Sequence, residues 1–71
     1  MDIKDFIQGK MNECEKRSKN WEERIEDYNK EIKADIFNDV LRIEKQKCIG
    51  KKNELLAVAD FCNELLSKYF S

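Results

Sequence analysis

Three cysteines, a run of lysines and a single tryptophan are the residues of this chain best suited to chemistry. Cys14, Cys48 and Cys62 offer soft thiolates of the kind that bind zinc. No histidine is present to complete such a site, and separations of 34 and 14 residues match no finger or ribbon spacing. A redox-active thiol is the other chemistry open to them, but no CxxC motif supports it. No metal and no other cofactor is expected. Each cysteine falls on an apolar helical stripe instead, where an unpaired thiol behaves as a small hydrophobe.

The segment from Arg42 to Lys52 holds Arg42, Lys45, Lys47, Lys51 and Lys52 against one acid, Glu44. A basic helix face of this kind can hold phosphates or an acidic protein. Lys47, Lys51 and Lys52 are the candidate anion-binding residues, since not all of them can pair with acids elsewhere in the chain. The plainer alternative is charge pairing with Glu15, Glu22, Glu23 and Glu26. A formal net charge of −1 favours that alternative, and nucleic acid is not an expected partner. Trp21 could stack on a base, but its place between Cys14 and Tyr28 in one heptad file reads as a core anchor. Catalysis lacks its usual parts: histidine, a glycine-rich phosphate loop and a nucleophile elbow. The neighbouring acids Glu22/Glu23 and Glu26/Asp27 lie on a solvated helix face, without the burial that tunes a carboxylate for acid–base work. The chain is not expected to be an enzyme.

The elements that must position these residues are long helices. Proline is absent, only two glycines occur, and 41% of residues are charged. Ile7, Cys14, Trp21 and Tyr28 form one file at seven-residue steps, and Met11, Ser18, Ile25 and Ile32 form another. Alternating steps of four and three keep one stripe on one side of a helix, the coiled-coil pattern. Asp2 is the natural N-cap. Near Lys33, Ala34 and Asp35 the stripe loses phase, and Ile36, Phe37, Val40 and Leu41 form a new cluster. Asp35 then caps a second helix, whose files are Leu41, Cys48, Leu55, Cys62, Tyr69 and Phe37, Glu44, Lys51, Val58, Leu65. Because the first of these files keeps its register across Gly50, one long helix is preferred to a break there. Three helices remain the alternative.

The fold class predicted is all-α: a long antiparallel hairpin, coiled-coil-like, with helices over about residues 2–32 and 35–70 of a single domain, 1–71. At 1.5 Å per residue the helices run ~45–55 Å. A turn at residues 33–34 makes facing residue numbers add to about 67, if the arms are symmetric. That register sets Trp21 near Gln46, within a turn of Cys48 and Gly50, Phe6 and Ile7 near Phe61 and Cys62, Glu22 across from Lys45, and Glu15 across from Lys52.

A chain this short buries only about 60–65% of its unfolded surface. It usually needs a disulfide, a metal or a partner subunit. Its apolar residues exceed what a two-helix seam can bury, and the excess gathers at the open end of the hairpin. Ile3, Phe6, Ile7, Phe61, Leu65, Leu66, Tyr69 and Phe70 are the expected oligomer interface, most simply in a homodimer that completes a four-helix bundle. The function expected is a small protein-interaction module, an adaptor or inhibitor that also binds another protein. The alternative is an oligomeric protein that sequesters an anionic small molecule such as a nucleotide. In length, lysine and asparagine usage and helical pattern the chain is similar to the short, charged, all-helical proteins encoded by bacteriophages and mobile elements of low-GC bacteria. No signal peptide and no membrane span are expected, and the expected location is the cytoplasm.

Overall fold

A computed structural model describes residues 2–70. It contains two helices, α1 (Ile3–Ala34) and α2 (Asp39–Tyr69), packed against each other as an antiparallel hairpin of 50 × 15 × 15 Å. Asp2 caps α1 as the sequence predicts, its carboxylate accepting from the backbone N–H of Lys4 at 3.0 Å. The helix α2 runs unbroken through Gly50, so the three-helix alternative is set aside.

The turn lies later than the sequence suggests. Asp35 does not open α2; it closes α1, its backbone N–H donating to the carbonyls of Glu31 and Ile32 at 3.0 and 3.2 Å. Asn38 is the N-cap of α2, its side-chain oxygen accepting from Val40 N–H at 3.1 Å and Leu41 N–H at 3.4 Å. Asp and Asn are nearly equal as caps, so the residue types alone do not choose between them. Arg42 adds a brace: its guanidinium donates to the Ile36 carbonyl and pairs with Asp39 at 3.6 Å. Ile36 and Phe37 thus belong to the connection, and Phe37 is 86% exposed.

Moving the turn by about three residues slides the facing register by twice that, about one heptad. Glu22 therefore meets Lys52 at 3.5 Å, and neither the Glu22–Lys45 nor the Glu15–Lys52 pairing forms. A slip of seven residues brings every stripe position against an equivalent one, so the apolar pattern alone tolerates both registers.

The seam on α1 is the predicted one. Cys14 and Ser18 are buried, and Ile7, Met11, Trp21, Ile25, Tyr28 and Ile32 are half-buried. On α2 the file Leu41, Cys48, Leu55 and Cys62 is also inward, but Tyr69 is exposed. In a straight helix seven residues fall about 20° short of two full turns, so over several heptads the end of a long file drifts out of the seam. The companion file differs as well. Lys45, Lys52, Ala59 and Leu66 line the seam, while Phe37, Lys51 and Val58 are exposed. Lys45 and Lys52 lay their methylene stems along the groove and keep their charges at its rim. Ala59, 4% exposed, faces inward and lets the helices approach closely, while the more apolar Val58 beside it is exposed. The core is thin. Its fully buried members are small, and the Ser18 hydroxyl donates to the Glu15 carbonyl at 2.7 Å.

Candidate functional site

The two long faces of the hairpin differ in character. One groove is closed by the Glu22–Lys52 pair, with the Lys52 side chain only 27% exposed. The other groove is lined by Arg17 and Trp21 of α1 and by Lys51, Glu54, Leu55 and Val58 of α2. Trp21 lies there under the guanidinium of Arg24, 4.8 Å from the ring centre. It does not fill a recess at Gly50, which has nothing within 4 Å of where a Cβ would stand.

Helical geometry carries this second face to both ends of the molecule. Eleven residues make three turns, so Phe6 lies on the same side of α1 as Arg17. On α2 the steps of three and four that join Glu54, Val58, Phe61, Leu65 and Tyr69 keep them within one stripe. At the open end Ile3, Phe6, Phe61 and Tyr69 are each at least 60% exposed. These are four of the eight predicted interface residues, brought together at one end. Leu65 is half-buried at the border of the stripe, Ile7 and Leu66 are half-buried in the seam, and Phe70 follows the end of α2, partly exposed.

Run in the other direction, the same stripe reaches the turn. Glu54, Lys51, Lys47, Ile43 and Val40 continue the steps of three and four. Val40 and Ile43 are exposed there, beside Ile36 and Phe37 of the connection. This second apolar patch is absent from the sequence expectation. Its signal was present in the cluster Ile36, Phe37, Val40, Leu41, which reads as the buried start of a helix while Asp35 is taken as the cap.

The three candidate anion-binding lysines do not converge. Lys47 and Lys51 lie one turn apart on the stripe, and Lys47 pairs with Glu44 at 3.3 Å. Lys52 points across the opposite groove to Glu22. Most of the remaining charge pairing runs along single helices, as in Arg17–Glu13 at 4.0 Å and Arg42–Asp39 at 3.6 Å. Such exposed pairs are worth about 0.3–0.5 kcal/mol each. The concave places on the surface are open dents between helical turns, one among Arg24, Asp27, Tyr28 and Glu31 and another among Arg42, Ile43, Gln46 and Lys47.

All three thiols are free and buried in the seam, Cys14 to 2% exposure. Among the described residues no group of three or more Cys, Asp and Glu side chains is placed to hold a metal ion, and no helix is long and apolar enough to cross a membrane. The chain matches no protein-family model, no curated protein and no solved structure.

Proposed function

We propose that this chain is a small, non-enzymatic protein-interaction module, an adaptor or inhibitor, that self-associates through the open end of its hairpin and completes a helical bundle there. The observation that carries the proposal is the exposure of Ile3, Phe6, Phe61 and Tyr69 at that end. Large apolar side chains left exposed in one region mark interaction sites. The setting that goes with it is a reducing cytoplasm, in which Cys14, Cys48 and Cys62 stay thiols. A homodimer comes first, and a second protein would dock on the bundle it forms.

Light scattering at micromolar concentration tests the assembly. A dimer is expected for the unaltered chain and a monomer for the double variant Phe61→Asp, Tyr69→Asp. A stable monomer of the unaltered chain overturns the proposal.

A further inference from the structure

Resting on the self-association proposed above, we infer that the partner at this face is a second copy of the chain running antiparallel, so that each open end covers the other's turn. The stripe on α2 is self-complementary under a two-fold axis. Read from the turn, it runs Val40, Ile43, Lys47, Lys51, Glu54, Val58, Phe61, Leu65, Tyr69. Laid against its own reverse, with the axis between Lys51 and Glu54, Val40 meets Leu65 and Ile43 meets Phe61. Tyr69 reaches Ile36, and the stem of Lys47 lies over Val58. At the centre Lys51 of one copy faces Glu54 of the other, and the symmetry repeats that contact.

Two observations support this pairing over one that joins open end to open end. The first is charge. Within the hairpin Lys51 and Glu54 have no ion-pair partner among the described residues, whereas Lys47 and Lys52 do. Antiparallel pairing gives each one opposite charge on the other copy, two such pairs per dimer, with the sign pattern that fixes register in helical assemblies. The second is coverage. An open-to-open contact leaves Ile36, Phe37, Val40 and Ile43 in water, although they are as exposed as the open-end residues. The antiparallel pair hides both patches in one isologous interface.

The test is a charge swap with two apolar controls, read as dimer dissociation constants by sedimentation. Lys51→Glu and Glu54→Lys should each weaken the dimer about tenfold, and the double variant carrying both should regain most of the lost affinity. Ile43→Asp, at the turn, should weaken it at least as much as Phe61→Asp, at the open end. The antiparallel pairing is overturned if the double swap stays as weak as the singles, or if Ile43→Asp leaves the dimer intact. Loss of the dimer in Phe61→Asp but not in Ile43→Asp overturns the orientation and spares open-end association. An unaltered chain that is monomeric overturns both. Circular dichroism of each variant confirms that the hairpin itself is intact, because every altered residue lies outside the seam.

Discussion

Cys14, Ser18, Cys48, Ala59 and Cys62 show how small side chains set the distance between the helices. They are the buried residues of the seam, and larger ones such as Trp21 and Tyr28 sit at its borders, half in water. Ala59→Leu therefore adds volume where no space remains and should destabilise the fold by about 1–3 kcal/mol in urea titrations. The reverse case is Gly9, where a Cβ meets nothing within 4 Å inside an otherwise regular helix. Gly9→Ala should raise stability by about 0.5–1 kcal/mol in the same measurement, through the lower entropy of the unfolded chain and better helix propensity. The cysteines were legible as apolar seam residues because they recur on the files. Ala59 was not, since Val58 is the more apolar neighbour and only the direction of the helix face separates them.

At the scale of the elements, the turn is decided by which cap the backbone uses. Asn38 satisfies two N–H groups at the start of α2, while Asp35 contributes its backbone to the end of α1 and its side chain makes no hydrogen bond among the described residues. Asn38→Ala should thus cost about 1 kcal/mol, and Asp35→Ala should stay within about 0.5 kcal/mol. Thermal melts of the two single variants measure the difference, and equal losses would return the cap to Asp35. Helix existence and the α1 stripe were plain in the sequence because more than three heptads repeat the same period. The turn was not, because two residues of equal capping strength stand three apart and local chemistry does not rank them.

For the whole molecule, the proposed self-association predicts that stability depends on assembly, because the seam is thin and two apolar patches stand exposed. If the native state is a dimer, its melting temperature rises with protein concentration by mass action. A tenfold dilution should lower the midpoint by a few degrees for the unaltered chain, and that dependence should vanish in the Phe61→Asp, Tyr69→Asp variant. The open-end patch was visible in the sequence as a surplus of apolar residues on the last three turns of α2. The patch at the turn was hidden, because Ile36, Phe37, Val40 and Ile43 fall outside the seam only once the connection is placed at residues 35–38.

By itself the sequence determined two long helices and the inward stripe of α1, preferred a continuous α2 through Gly50 without deciding it, and placed a surplus of apolar residues at the open end. Each follows from a local period of three and four residues or from a count of apolar side chains, and neither needs a partner helix to be known. Only the tertiary structure decided the register between the helices. Heptad stripes repeat every seven residues, so pairings one heptad apart bury nearly the same side chains, and the choice passes to the cap at Asn38. That choice brought Glu22 to Lys52, set Lys52 apart from Lys47 and Lys51, and left a second apolar patch at the turn. The stripe that joins the two patches carries Val40, Ile43, Val58, Phe61 and Tyr69, all exposed.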